Sequence, residues 1–115
     1  MVVDELSDDE IDRLFQALAD ATRRDILQRS LTETLSVSRL AGSYEMSFAA
    51  VQKHVSVLER AGLVVKERRG REQLVRTDRD ALQQARRALD DLEATWHARV
   101  SRMADLLSAD PGTTR

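Results

Sequence analysis

Residues 46–63, MSFAAVQKHVSVLERAGL, constrain this chain more than any other stretch, because they specify a capped helix with one face that must be covered. Ser47 has the side chain of an N-cap, and Gly62 stands where a left-handed residue ends a helix. Between them Val51, Val55 and Leu58 recur at i, i+4 and i+7, one apolar stripe of helical period. The opposite face carries Ser47, Ala49, Ala50, Gln52, Lys53 and Ser56, which are small, amide, hydroxyl or cationic and include no bulky apolar group. Such a face has two readings. It can simply be solvated, or it can lie in a DNA groove, with amides and hydroxyls on base edges, lysine on phosphate and alanine permitting close approach.

The flanking residues favour the groove. Upstream, Ser36-Val37-Ser38-Arg39-Leu40-Ala41-Gly42 begins at a serine cap, and Ser43-Tyr44-Glu45-Met46 links it to the longer helix. Two helices joined by such a link form a helix-turn-helix, whose second helix is the reader. Downstream, residues 63–69 and 72–77 are strand-like runs around Gly70-Arg71, a hairpin whose tip carries Lys66, Arg68, Arg69 and Arg71. Helix, turn, helix and basic hairpin in this order make a winged helix, a mainly α fold with one small β-hairpin.

The net charge of −2 sits awkwardly with a DNA partner, since phosphate binding depends on cations that displace counterions. The distribution removes the difficulty. Residues 1–20 hold seven acids against Arg13, a net of −6; residues 21–79 hold twelve bases against seven acids, a net of +5; residues 80–115 carry −1. The positive charge is therefore concentrated in the reading module.

At 115 residues the chain has the length of one domain. Ser7 and Glu10 fit a capping box, which divides an N-terminal arm over 1–6 from a domain over 7–109. Ile11, Leu14, Phe15 and Leu18 predict one buried helix face, and Asp20 caps a second helix that turns Ile26 and Leu27 inward. Arg23 and Arg24 open that helix and either reach backbone phosphate or are solvated. From Asp78 a long helix runs to about residue 109, with apolar positions at Leu82, Ala85, Leu89, Leu92, Trp96, Val100, Met103 and Leu107 in steps of three and four. No remaining segment can cover so long a stripe, so it is expected to pack partly on the first helix and partly on a second copy. The expected dimer interface comprises Leu14, Leu89, Leu92, Trp96, Val100 and Met103. Residues 110–115 lack any core former and are expected to be a disordered tail.

The runs Leu18-Ala19-Asp20-Ala21-Thr22-Arg23-Arg24-Asp25-Ile26-Leu27, Met46-Ser47 with Val51-Gln52-Lys53-His54-Val55, and Leu58-Glu59-Arg60-Ala61-Gly62-Leu63-Val64 resemble the ArsR/SmtB family of bacterial winged-helix transcriptional regulators. The resemblance covers residues 11–107. It departs from the usual pattern at Ala21, where proline is common, at Phe48, where glutamine or leucine is common, and at Gln52, where serine is common. It implies a homodimeric repressor that covers promoter DNA at an inverted repeat. The DNA-binding residues it implies are Ser47, Phe48, Ala49, Ala50, Gln52, Lys53, His54 and Ser56 on the reading helix and Arg68, Arg69 and Arg71 on the wing. His54 either donates to a phosphate or makes a local hydrogen bond.

Many relatives of that kind sense metals through cysteine clusters or through Asp, His and Glu sets on the last helix. The chain has no cysteine, which excludes the first set along with disulfides and thiol redox sensing. His97 is the one histidine on the last helix, and Val100 stands where a second ligand would follow, so the resemblance is to metal-independent members and no metal or cofactor is expected. No Gly-rich phosphate loop or Ser/His/Asp set is present, and adjacent carboxylates such as Asp90 and Asp91 do not share a helix face, so no enzyme is expected. No apolar run approaches the roughly 18 residues of a membrane span, and the acidic N-terminus is unlike a secretory signal. A cytoplasmic protein without membrane partners is expected, with duplex DNA and a second copy as its partners. A small-molecule or metal effector, and use of the winged helix as a protein-interaction module, remain the alternatives.

Overall fold

The computed structural model describes residues 6–108. Five helices and three short strands follow one another as α1 (Asp8–Leu18), α2 (Ala21–Thr32), β1 (Leu35–Ser36), α3 (Val37–Ala41), α4 (Phe48–Arg60), β2 (Val64–Arg69), β3 (Glu72–Thr77) and α5 (Arg79–Ser108). The strands form an antiparallel sheet in the order β1-β3-β2. This is the winged helix expected from the sequence, with one strand more. Leu35 pairs with Val75 and Ser36 with Leu74, which ties the start of the helix-turn-helix to the wing.

Short-range chemistry sets the helix starts. Ser7 Oγ accepts from the Glu10 amide while the Glu10 carboxylate accepts from the Ser7 amide, so the capping box is complete. Asp20, Ser36 and Ser47 each accept from the backbone amide three residues on. Asp78 Oδ1 takes the amides of Asp80 and Ala81 at the start of α5.

The end of α4 is equally specific. Leu63 N–H donates to the Leu58 carbonyl and Gly62 N–H to that of Glu59, the paired bonds of a Schellman motif, with Gly62 at φ +79°. Leu58 and Leu63, the two apolar residues that such a motif brings together, are both fully buried. The turn delivers the chain into β2, and Arg69 opposite Glu72 leaves Gly70-Arg71 as a two-residue loop. Gly70 has φ +63° whereas no non-glycine residue among those described has a positive φ, so the loop is of type II′, which suits the twist of a hairpin.

The core gathers Ile26, Leu40, Val51, Val55, Leu58, Leu63 and Val75, all essentially inaccessible. A buried polar bridge lies beside it. Thr77 Oγ1 donates to the Leu27 carbonyl at 2.9 Å and lies 3.0 Å from Ser30 Oγ, which is 2.8 Å from the Ile26 carbonyl, so α2 and the end of β3 are locked without an orphaned hydroxyl.

Two expectations for α1 are corrected. Its buried residues are Leu14 and Ala17, while Ile11, Phe15 and Leu18 are only half-buried. Ala17 was overlooked because periodicity counts bulky residues, whereas close helix approach selects a small one. Leu14, expected at a dimer interface, is 3% exposed inside this chain's own core and has no surface left for a partner. Leu6 and Ile11 instead line the groove between α1 and α5.

The long helix α5 has 30 residues, roughly 45 Å at the usual rise. Only Ala85 is buried, with Leu82 packed against the core. From Leu89 onward every described residue is exposed, including Leu92, Trp96 at 64%, Val100 at 43%, Met103, Leu106 and Leu107. The expected arm over 1–6, apart from a partly buried Leu6, and the expected tail over 110–115 lie outside the described residues. No described helix is long and apolar enough to cross a membrane.

Candidate nucleic-acid interface

Helix α4 separates its two faces sharply. Val51, Val55 and Leu58 are at most 1% exposed, while Ser47, Phe48, Ala49, Gln52 and Lys53 are exposed and Ala50, His54 and Ser56 are half-buried at the flanks. Ala49, Gln52, Lys53 and Ser56 follow i, i+3, i+4 and i+7, one ridge directed away from the core. The Ser47 hydroxyl accepts from the Ala50 amide and keeps its own proton available to an outside acceptor. Phe48 corrects the expectation of a face without bulky apolar groups, because its ring at the first helical position is 47% exposed.

His54 makes a local hydrogen bond. Its Nδ1 lies 3.2 Å from Arg23 Nη1, and because a guanidinium only donates, Nδ1 is the acceptor and the neutral imidazole carries its proton on Nε2. Arg23 also donates Nε to the Ala17 carbonyl at 2.8 Å and Nη2 to that of Gln16 at 3.0 Å; Arg24 donates to the Leu18 carbonyl at 2.7 Å. The Ala17 and Leu18 carbonyls lie in the last turn of α1, where intrahelical donors run out, while that of Gln16 also accepts from the Ala19 amide at 3.2 Å. Arg23 and Arg24 are thus not idle solvated groups; they cap α1 from the next helix. Asp20, between the two helices, has its carboxyl held below the usual range, chiefly by the Arg23 backbone amide that it accepts.

The link between α3 and α4 is held by a contact with no sequence signature. Tyr44 Oη donates to Asp25 Oδ2 at 2.5 Å, Arg29 Nε meets the same carboxylate at 3.2 Å, and the Arg29 guanidinium lies 5.3 Å from the Tyr44 ring centroid. Burial, with the adjacent Asp25, pushes the Tyr44 hydroxyl up to about 12.

The wing is less uniformly basic than its cations suggest. Lys66 pairs with Glu59 of α4 at 3.3 Å, which braces the hairpin against the reading helix. Arg69 pairs with Glu67 at 3.2 Å and stands opposite Glu72. Arg68 and Arg71 have no ion pair among the described residues, and Arg76 on β3, outside the basic run at the hairpin tip, is a third exposed cation. An exposed pair such as Arg69 with Glu67 is weak, so Arg69 can exchange its partner for a phosphate.

On α5, His97 is not isolated: Glu93, one turn back, lies 3.5 Å from its Nε2. Among the described residues no three His, Cys, Asp or Glu side chains converge as metal ligands would.

No family model matches the chain. It is 34% identical over 103 residues to the HTH-type transcriptional regulator Rv2034 of Mycobacterium tuberculosis, an alignment spanning 90% of this chain and 94% of that protein. The solved ArsR-like transcriptional regulator from Rhodococcus sp. RHA1 superimposes with a TM-score of 0.76 at 32% identity, over 85% of this chain and 92% of the other. The chain belongs to the ArsR family of winged helix-turn-helix transcriptional regulators. A further ArsR-like fold, the homodimeric winged helix-turn-helix DNA-binding domain from Mycobacterium bovis, matches with a TM-score of 0.62 at 26% identity, covering 84% of this chain and 93% of the domain. The α4 and wing surfaces described above are therefore those of a DNA-binding regulator rather than of an enzyme. As an ArsR protein the chain departs from the cysteine-based sensors, since it has no cysteine.

Proposed function

We propose that this ArsR protein is a homodimeric, sequence-specific repressor of an inverted-repeat operator. One observation carries the reading: on α4 an inaccessible Val51, Val55 and Leu58 stripe stands directly behind an exposed ridge of Ala49, Gln52 and Lys53. A helix so anchored presents its ridge rigidly, which base readout in a major groove requires. Gln52 has the amide for a base edge, Lys53 the cation for a phosphate, and Arg68, Arg71 and Arg76 extend cationic contacts along the backbone. The self-association half rests on the exposed stripe from Leu89 to Leu107, too continuous an apolar surface for a lone protomer. Two copies joined there would grip two half-sites, and occupancy of a promoter would exclude polymerase.

Selection of bound duplexes from a random pool, followed by titration across salt concentrations, tests the whole. An enriched inverted repeat and a steep salt dependence are expected. A flat salt dependence with no enriched sequence would instead identify a protein-interaction module.

A further inference from the structure

We propose that a cleft between α1, the first turn of α2 and the last turn of α4 binds a compact oxyanion of a small molecule, such as a phosphate group. The cleft has a volume of about 330 Å³ and is lined by Arg13, Gln16, Arg23, Val57, Arg60 and Ala61. Three guanidinium groups border it, each from a different helix, and no carboxylate does.

Their donors are not exhausted by structural work. Arg23 is fixed by the Gln16 and Ala17 carbonyls and by His54, which leaves one N–H on each Nη. Arg60 directs Nε toward the Ser56 carbonyl at 3.5 Å and keeps both Nη groups. Arg13 and Arg60 form no ion pair among the described residues. Both also border an adjoining cleft that contains Glu10, Asp78 and Asp80. There Glu10 accepts from the Ser7 amide, which with the nearby charge of Arg13 holds its carboxyl below the usual range, and Asp78 accepts from the amides of Asp80 and Ala81, but neither carboxylate closes an ion pair on Arg13 or Arg60.

Capping explains Arg23 but not the other two, because Arg13 lies within α1 and the Arg60 Nη groups meet no terminal carbonyl. Clustered like charges cost free energy that a multivalent oxyanion removes, and guanidinium forks match phosphate oxygens two at a time. The occupant is a small molecule rather than the DNA backbone, since Arg60 lies roughly 16 Å along α4 from Ala49 at the usual helical rise. An anion held there would tie α4 to α1 and α2 and, through Arg23, bear on His54 at the flank of the reading helix. That last consequence rests on the DNA-reading proposal above; the binding itself does not.

The test is calorimetric titration of the DNA-free protein with inorganic phosphate at ionic strength held constant with chloride. It compares the parent with Arg13→Gln/Arg60→Gln, both sites being exposed and outside the core. Saturable binding is expected in the parent, weakened by about tenfold or more in the double variant, with unchanged circular dichroism. Equal phosphate affinity in both proteins overturns the proposal, as does a parent whose heat is no different from that of added chloride. In a second arm the selected duplex is titrated without phosphate, and equal affinity is expected for the two proteins. A double variant with weakened duplex binding and a shallower salt dependence would make the DNA backbone the occupant and overturn the small-molecule assignment. Because the calorimetry contains no DNA, its result stands apart from the fate of the operator proposal.

Discussion

Arg23 Nη1 and His54 Nδ1 meet at 3.2 Å across 31 positions of sequence, and through that contact the cap of α1 reaches the flank of α4. Replacing Arg23 with Lys leaves a cation but no planar fork, so the Ala17 and Gln16 carbonyls and the imidazole cannot all be served. A loss of about 1–3 kcal/mol is expected from the abandoned partly buried groups, read from urea unfolding. Nitrogen NMR of the parent should show the Nε2–H tautomer of His54. A parent with its proton on Nδ1, or a Lys variant as stable as the parent, would contradict the arrangement.

Gln52 is the amide on the exposed ridge of α4. Gln52→Ala is expected to weaken binding to the selected duplex by about 1–3 kcal/mol and to relax preference at one base pair per half-site. Unchanged affinity together with an unchanged selected sequence would remove that face from the groove.

Tyr44 holds the helix-turn-helix link to α2 and is the chain's only tyrosine, so its ultraviolet titration is unambiguous. Its folded pKa is raised from 10.0 to about 12. A raised value means that the neutral phenol is favoured by the fold. The contribution is fully present below the unfolded value near 10 and disappears as pH rises through about 12. Tyr44→Phe should cost about 1 kcal/mol at neutral pH and abolish the alkaline loss of stability over that window. A tyrosine titrating at its unperturbed value would refute the contact with Asp25.

Gly62 and Gly70 hold positive φ with nothing within 4 Å of the missing Cβ, so replacing either costs backbone strain alone. Gly62→Ala and Gly70→Ala should each destabilise by about 1–2 kcal/mol in thermal unfolding. A penalty well beyond that would mean that the site is crowded after all.

Trp96 tests the proposed dimer. If its exposed ring becomes buried against a second copy, Trp96→Ala should cost about 3–5 kcal/mol of association and weaken duplex binding in parallel. Sedimentation at micromolar concentration checks both proteins. A monomeric parent that grips a full inverted repeat tightly, or a variant that remains dimeric and active, would end the idea.

How far the fold could be read in advance depended on the range of each interaction. Ser7, Asp20, Ser36 and Ser47 were legible as caps because each bond spans only three residues, and Gly62 and Gly70 because few other residues adopt positive φ. The strand β1 has only two residues and therefore no period to detect. The partners of Arg23, Lys66 and Leu14 were not legible, for a different reason. Helical periodicity says that a residue lies on a given face, but the neighbour that face meets depends on interhelical angles, so Arg23 found carbonyls, Lys66 found Glu59 and Leu14 found its own core. The ridge of α4 was legible in its composition except for Phe48, a bulky ring that stands exposed beside an otherwise small and polar face.

The sheet order has a consequence for how copies of this protein can meet. Since β1 and β2 flank β3, the long outer edge belongs to β2, whose Lys66-Glu67-Arg68-Arg69 is an unbroken run of charge. An unpaired strand invites another molecule to add its own, and the resulting open-ended stacks are the usual route from folded β-structure to aggregate. Four charged side chains in succession on that border oppose such growth, because each would have to give up water to an incoming strand. The wing can thus stay bare in the free protein, which leaves the proposed self-association to the exposed apolar stripe of α5.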